Sequence, residues 1–225
     1  MAVEIETTSY SAEPFEFSYE PSKVIEVKYD GQNRPAVELI GGEDLSAIID
    51  MLSYQVRLED YDRVVVLSEG GWYLAQELAK RQDFPLDAST TTEIKTKRAN
   101  GGGETTIVNP DDLSSLHDKR VLIIDDLVDS AATLETVYEY LPYAEGVAIA
   151  KKTLDAEKIE DLQRQENILA RTIVGATIPD YWVGGGGLDF GNFAEKEYGY
   201  KKGFPRLLNK IVIMYESLQE DNRQY

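Results

Sequence analysis

Short, continuously apolar runs recur along the chain, and helical patterns separate them. The clearest runs are Arg63–Leu67, residues 120–124 and residues 146–150. Strands that are apolar on both faces are typical of a parallel sheet covered by helices on both sides. We therefore predict an α/β fold: a doubly wound, mostly parallel central sheet with helices on both faces. Ligands of such sheets bind beyond the carboxyl ends of the strands, so the residues that follow each strand are the candidates for function.

The other elements follow from hydrophobic spacing and turn residues. Val24–Tyr29 and residues 35–40 read as a hairpin, and Leu45, Ile48, Ile49 and Leu52 share one face of a helix. That helix is predicted at residues 44–57. Further helices are predicted at residues 72–80, 131–140 and 157–167, and further strands at 105–108, 170–176 and 210–214. We divide the chain into an N-terminal extension with its hairpin, residues 1–42, and a main domain, residues 43–225.

Three carboxylates and then small hydroxyl residues follow the strand at 120–124. The order is Asp125, Asp126, two apolar residues and Asp129, and then Ser130-Ala131-Ala132-Thr133 at the start of a helix. A tight turn of small residues exposes backbone N–H groups at a helix N-terminus, where a phosphate monoester fits. The carboxylates can accept hydrogen bonds from sugar hydroxyls or lie near Mg²⁺. The segment therefore predicts a ribose 5-phosphate site.

The same segment resembles the phosphoribosyl pyrophosphate signature of type I phosphoribosyltransferases. Residues 43–213 resemble the hypoxanthine-guanine branch of that family, which implies a small hood over the sheet and a magnesium-chelated substrate. A receiver-type or dinucleotide-binding sheet also has acidic strand ends, but neither explains the spacing of Ser130 and Thr133. The resemblance implies that Asp129 is the catalytic base at purine N7. It implies that phosphoribosyl pyrophosphate is bound by Asp125, Asp126, Asp129, Ser130, Ala131, Ala132, Thr133, Glu69 and Gly70.

Two later segments resemble the family's base site. Residues 178–183, four glycines and Leu188-Asp189 resemble its purine-specificity segment. The resemblance implies that Trp182 stacks on the base, that the Val183 backbone binds the base edge, and that Asp189 holds magnesium, with Asp125 and Asp126 also near the metal. An indole face suits a flat heteroaromatic ring. By the same resemblance, Lys151 donates to the 6-oxo group of the base.

The chain also departs from the family pattern. Glu69 stands where a basic residue is common, before the Gly70-Gly71 pair of the pyrophosphate loop. The usual Ser-Tyr pair of the closing loop is not evident, and we expect residues 96–104, with Lys97 and Arg98, to form the lid. The Arg that usually follows the family's metal-binding Asp, here Asp189, is missing. The segment 155–169 is longer than its usual counterpart in the family.

The resemblance implies transfer of 5-phosphoribosyl from phosphoribosyl pyrophosphate to hypoxanthine or guanine in purine salvage. A xanthine-guanine enzyme, a non-catalytic regulator that senses phosphoribosyl pyrophosphate, and a structural α/β domain are the alternatives. A regulator of this kind usually carries a DNA-binding region, and residues 1–60 are acidic without a basic recognition helix. The only histidine, His117, receives no role. Ser68 is not expected to be a hydrolase nucleophile, because a triad needs a histidine beside it.

Composition limits the partners and the compartment. The net charge of −18 repels nucleic acid, and the chain has no Cys and no apolar run long enough to cross a bilayer. The acidic, polar N-terminus does not resemble a signal peptide. We expect a cytoplasmic protein with no membrane or nucleic-acid partner, which forms a homo-oligomer as its family commonly does.

Overall fold

The computed structural model describes residues 14–17, 24–29, 32–98, 105–181, 183–188 and 210–214. Its central sheet has six strands, and every neighbouring pair is parallel. In spatial order these strands are β1 (Phe15–Glu16), β10 (Thr172–Pro179), β9 (Glu145–Thr153), β8 (Val121–Val128), β4 (Arg63–Leu67) and β5 (Thr91–Ile94). The apolar runs that predicted the sheet lie in β4, β8 and β9.

Helices cover both faces of this sheet, as predicted for a doubly wound fold. On one face, α1 (Gly42–Gln55) and α2 (Ser68–Gln82) bury Leu45, Ile48, Ile49 and Leu52 with side chains of the sheet in one core. On the other face, α3 (Pro110–Ser114), α4 (Ala132–Tyr140) and α5 (Ile159–Leu169) bury a second core. A core on each face explains why the central strands are apolar throughout.

The order of the strands reverses between β4 and β8. From β4 the chain moves outward to the edge strand β5, whereas from β8 it moves the other way, through β9 to β10. The helix after β4 and the helix after β8 therefore leave on opposite faces. A crevice forms beyond the strand ends at such a switch point, and ligands bind there.

A second, antiparallel sheet has the order β11 (Val183–Gly184), β12 (Ile211–Met214), β3 (Gln32–Ile40), β2 (Val24–Tyr29). The predicted hairpin is confirmed as β2 and β3, and the predicted last strand lies here and not in the central sheet. This small sheet corresponds to the expected hood. It crosses the proposed boundary at residue 42, and that division of the chain stays a prediction.

A short antiparallel pair, β6 (Thr96–Arg98) and β7 (Thr105–Ile107), rises beside β5. It agrees with the predicted return of the chain at 105–108. The tip of the expected lid, residues 99–104, lies outside the described residues. No helix in the described part of the chain combines the length and apolar character that a bilayer crossing needs.

Of the element boundaries that differ from prediction, three change where candidate site residues lie. Strand β8 continues to Val128, so Asp125 and Asp126 lie within the strand and not after it. Helix α2 begins at Ser68 and contains Gly70 and Gly71, which were predicted to precede it. Strand β9 continues to Thr153. In each case pairing or packing with a neighbouring element extends a structure whose local sequence signal stops earlier.

Candidate functional site

Two helices begin at the switch point, directly beyond the adjacent strands β4 and β8. Helix α2 starts immediately after Leu67, and α4 starts after the turn of residues 129–131. The N-cap residues, Leu67 and Ala131, make no side-chain capping hydrogen bond. The first N–H groups of a helix have no partner within it, and the helix dipole adds positive potential there. The crevice therefore presents two electropositive helix ends side by side, which suits a ligand with two phosphate groups.

The turn into α4 depends on an unusual backbone conformation at Ala131. This residue has φ 61° and ψ 3°, in the left-handed region, and its side chain is buried. Few residues with a β-carbon adopt that conformation, and those that do often lie at functional turns. Ser130 precedes it, and Ala132 and Thr133 are the first two residues of α4. The structure thus brings the predicted phosphate residues to a single helix start.

The two consecutive carboxylates of β8, Asp125 and Asp126, face opposite sides of the sheet. Asp125 is buried, 8 % exposed, and its Oδ1 accepts a hydrogen bond from the N–H of Asp126 at 3.0 Å. Asp126 is half-buried and faces α2. Alternation along a strand explains this split. One carboxylate therefore lies on the α4 face and the other beside the start of α2.

The glycines of α2 allow its first turn to approach Asp126 and β8. A β-carbon on Gly70 would lie 1.8 Å from Oδ2 of Asp126, and one on Gly71 would lie 2.6 Å from the carbonyl oxygen of Ile124. Any larger residue would move the helix or the carboxylate. Glu69 lies in the same turn. Gly70 thus lies against Asp126, and the assignment of Glu69 and Gly70 to the phosphoribosyl pyrophosphate site stays a prediction.

The glycine-rich turn after β11 also reaches α2. Gly185, Gly186 and Gly187 all have positive φ, and reciprocal backbone hydrogen bonds between Gly185 and Leu188 close the turn. A β-carbon on Gly187 would lie 2.5 Å from the carbonyl oxygen of Gly70. The predicted purine-specificity segment therefore packs directly on the predicted pyrophosphate loop. Trp182 and Asp189 lie outside the described residues, and Val183 is buried in β11 opposite Ile213.

A buried lysine pairs with both Asp129 and Asp180, which lies at the start of the predicted purine-specificity segment. Lys152 is 7 % exposed, and its Nζ lies 3.5 Å from Oδ2 of Asp129 and 3.2 Å from Oδ1 of Asp180. Lys158 at the start of α5 pairs with the other oxygen of Asp180. Burial raises the pKa of Asp180, but the hydrogen bond from Lys158 and the charge of Lys152 outweigh this effect and lower the pKa overall. The resulting chain of alternating charges runs from α5 to Asp129.

Lys152 was not singled out from the sequence. The predicted base donor, Lys151, is half-buried and pairs in register with Val128 of β8 and Thr177 of β10. The lysine whose ammonium approaches Asp129 is the next residue. Only the register and pleat of β9 distinguish the two, because adjacent residues of a strand point to opposite faces.

Comparisons with known proteins agree with this geometry. A family model described as phosphoribosyl transferase domain matches residues 41–154, just over half of the 225 residues. The chain belongs to the phosphoribosyltransferase domain family. The match spans the starts of α2 and α4 and both carboxylates of β8. The family and fold predicted from the motif are therefore confirmed.

Individual relatives of this phosphoribosyltransferase point the same way. It is 28 % identical over 164 residues to hypoxanthine phosphoribosyltransferase of Haemophilus influenzae, covering 71 % of this chain and 83 % of the relative. A crystal structure of a hypoxanthine phosphoribosyltransferase from Staphylococcus aureus superposes with a TM-score of 0.55 at 24 % identity, over 80 % of this chain and 93 % of that one. The Trypanosoma cruzi enzyme in complex with its product IMP gives 0.51 at 17 % identity, over 88 % and 97 %. The two structural matches establish a shared fold.

Proposed function

We propose that the protein transfers 5-phosphoribosyl from phosphoribosyl pyrophosphate to a 6-oxopurine, hypoxanthine or guanine, and releases pyrophosphate. The observation that carries this proposal is the meeting of two helix N-termini and the carboxylates of β8 at one switch point, within the segment that the family model matches. The relative named hypoxanthine phosphoribosyltransferase supports the choice of base. No feature of the site among the described residues favours the regulator or the xanthine-guanine reading.

The start of α4 is the proposed site of the 5-phosphate. Backbone N–H groups of its first turn and the hydroxyls of Ser130 and Thr133 would bind the phosphate oxygens. Asp125 and Asp126, which precede this turn in β8, would accept hydrogen bonds from the ribose hydroxyls. The left-handed backbone of Ala131 would allow the chain to turn from the proposed ribose site in β8 to the proposed phosphate site at α4.

The proposed cofactor is Mg²⁺ bound together with the pyrophosphate. Among the described residues, no group of three or more acidic, His or Cys side chains could hold a metal alone. Mg²⁺ usually takes one or two carboxylates and completes its shell with phosphate oxygens and water, so Asp125 and Asp126, with Asp189 as a further ligand, fit its chemistry. Magnesium would offset negative charge on the departing pyrophosphate. The start of α2 would add backbone N–H groups to the same oxygens.

The base is proposed to bind between the hood and Asp129. Trp182 would stack on the purine, the Val183 backbone would bind its edge, and a lysine of β9 would donate to the 6-oxo group. We assign that donor to Lys152 in preference to Lys151, because its ammonium lies beside Asp129. In the reaction, purine N9 bonds to C1 of the ribose as the C1–O bond to pyrophosphate breaks. The ring proton passes to Asp129, and pyrophosphate leaves with the bonding electrons.

Three broader assignments are part of the same proposal. The protein would act in the cytoplasm, as a homo-oligomer, with small molecules and not nucleic acid or membranes as partners. The net charge of −18 supports the exclusion of nucleic acid. Such a charge would also repel a polyphosphate, so local positive potential from helix starts and magnesium is needed for binding.

The decisive experiment is a base-competition assay. The protein is mixed with Mg²⁺ and phosphoribosyl pyrophosphate, offered hypoxanthine, guanine, xanthine and adenine separately, and followed by absorbance at low and high salt. We expect nucleotide from hypoxanthine and guanine. Turnover of xanthine alone would overturn the base assignment. Binding of phosphoribosyl pyrophosphate by calorimetry without any turnover would make the regulator the better reading.

A further inference from the structure

Helix α5 contacts the turn of residues 129–131, here called the phosphate loop because the 5-phosphate is proposed to bind there. The helix itself lies outside the segment that the family model matches. That match ends at residue 154, whereas α5 spans Ile159–Leu169. The helix packs on α4 and β10 in the second core. Two of its polar side chains reach the backbone where β8 ends and the turn into α4 begins. The contacts of α5 with the site therefore come from residues beyond the segment that the family model matches.

Gln165 makes the closest of these contacts. Its side chain is buried, 6 % exposed, in a helix face that also carries Ile168. The amide Nε2 donates to the carbonyl oxygen of Asp129 at 2.9 Å and to that of Lys152 at 3.1 Å, with Val128 O at 3.4 Å. A single amide thus ties the end of β8 to β9. Arg164 adds a longer contact, from Nη1 to the carbonyl oxygen of Ser130 at 3.4 Å.

The position of these carbonyls explains why the amide matters. The parallel pairing of β8 with β9 ends at Val128 and Lys151. Lys152 still pairs with Ile178 of β10, but the β8–β9 ladder no longer joins it to Asp129. Asp129 and Lys152, whose side chains form the ion pair at the proposed base site, are held through their carbonyls by the same amide. Buried carbonyls need a donor, and Gln165 supplies one donor to both.

We propose that Gln165 is a positioning residue: it fixes the backbone of Asp129 against that of Lys152 and so orients the phosphate loop and the Asp129 carboxylate. This inference rests on the proposed function. Gln165 touches neither the sugar phosphate nor the base, and it acts through the residues that do. Reacting groups must be placed to within a fraction of an ångström. Loss of the Gln165 hydrogen bonds should therefore weaken binding at the phosphate loop and slow turnover.

The test compares Gln165→Met with Gln163→Met. Methionine keeps the length of the side chain without a donor, and Gln163 is exposed on the same helix. The affinity for ribose 5-phosphate is measured by calorimetry, and kcat and both KM values are measured with phosphoribosyl pyrophosphate and hypoxanthine. For Gln165→Met we expect about tenfold weaker ribose 5-phosphate binding and about tenfold lower kcat. Gln163→Met should match the parent.

A structural role alone would give a different pattern. Gln165→Met would then lower the unfolding midpoint in urea, while its folded fraction kept the parent's affinity and kcat, and that result would overturn the inference. If Gln165→Met does not fold, Gln165→Asn decides: one methylene shorter, its amide cannot reach both strands, so it should lose affinity too. If Gln165→Asn keeps the parent's affinity for ribose 5-phosphate and its kcat, the positioning role of Gln165 is contradicted. A parent that does not bind ribose 5-phosphate would contradict the proposed function itself, and the inference with it.

Discussion

Gly70 and Asp126 lie so close together that a β-carbon on Gly70 would be 1.8 Å from Oδ2 of Asp126. The helix that follows β4 thus packs directly against the Asp126 carboxylate of the neighbouring strand β8. Substitutions on either side of this contact should therefore affect the ligand site before they affect the fold.

Gly70→Ala should displace Asp126 or the first turn of α2. We expect kcat/KM for phosphoribosyl pyrophosphate to fall about 100-fold, since a displacement of about 1 Å at a reacting centre has that effect. The measurement is steady-state kinetics at saturating hypoxanthine. Gly41→Ala is the control, because the nearest atom to its new β-carbon is the flexible carboxylate end of Glu38, at 3.1 Å. Near-parental kinetics in Gly70→Ala would show that the close contact does not serve the site.

Asp129→Asn should keep sugar-phosphate binding and lose most turnover. The amide retains the shape of the carboxylate but cannot accept the purine proton, and a general base is commonly worth a factor of about 10² to 10⁴ in rate. The measurements are kcat and the affinity for ribose 5-phosphate. Asp118→Asn, in an exposed turn, controls for the change of charge. Equal turnover of Asp129→Asn and the parent would remove Asp129 from its role.

Lys152→Met should destabilise the protein and impair use of the base. The change leaves Asp129 and Asp180 without their shared ammonium, and breaking a buried pair in this way costs about 3 kcal/mol of unfolding free energy. The KM for hypoxanthine should rise more than the KM for phosphoribosyl pyrophosphate. Lys151→Met is the matched control on the same strand. If Lys151→Met gives the larger rise in the base KM, the base donor is Lys151, as the sequence first indicated.

The charge of Asp180 should make stability depend on pH. Its folded-state pKa is lowered overall by Lys158 and Lys152 against the opposing effect of burial, so its ionised form stabilises the fold above the ordinary aspartate pKa of about 3.9. Asp180→Asn should therefore cost about 1 kcal/mol at neutral pH. That difference should shrink as the pH falls below about 4. Urea unfolding of both proteins from pH 7 to pH 3 measures it, and a difference that grows on acidification would reverse the assigned sign.

Ala131→Gly should stabilise the protein. Glycine adopts the left-handed conformation of this residue without the cost that a β-carbon brings, which is about 1 kcal/mol. Ala132→Gly, one residue later in α4, should instead lose up to about 1 kcal/mol, because glycine is unfavourable in a helix. Urea unfolding of the pair distinguishes them. Two losses of similar size would mean that the turn at Ala131 carries no backbone strain.

Much of this architecture could be predicted from local patterns. The apolar runs of β4 and β8 identify strands without reference to anything distant, and the spacing of Ser130 and Thr133 identifies a helix start. By contrast, the start of α2 at Ser68 depends on how Gly70 meets Asp126, some fifty residues along the chain. A glycine pair considered locally indicates a loop, whereas here the pair lies in the first turn of a helix that packs against Asp126 of β8.

The polar residues of the site were harder to predict for related reasons. Lys151 and Lys152 are indistinguishable in composition, and the strand register decides which ammonium meets Asp129. Gln165 looked like one more polar residue of an acidic helix. A signal was available, since Gln165 occupies the apolar face between Leu162 and Ile168, where a buried amide needs partners. Which carbonyls it meets is a property of the folded chain alone.

The pairing of β12 with β3 has a consequence for how the protein is made. These strands join residue 211 to residue 40, and β12 lies between β3 and β11. A ribosome delivers all six strands of the central sheet by residue 179, but β3 stays without this partner until residue 214 has emerged. An uncovered edge of this kind can pair with another chain. Until residue 214 has emerged, the nascent protein therefore exposes this edge of β3, and translation products that stop before that residue should aggregate through it.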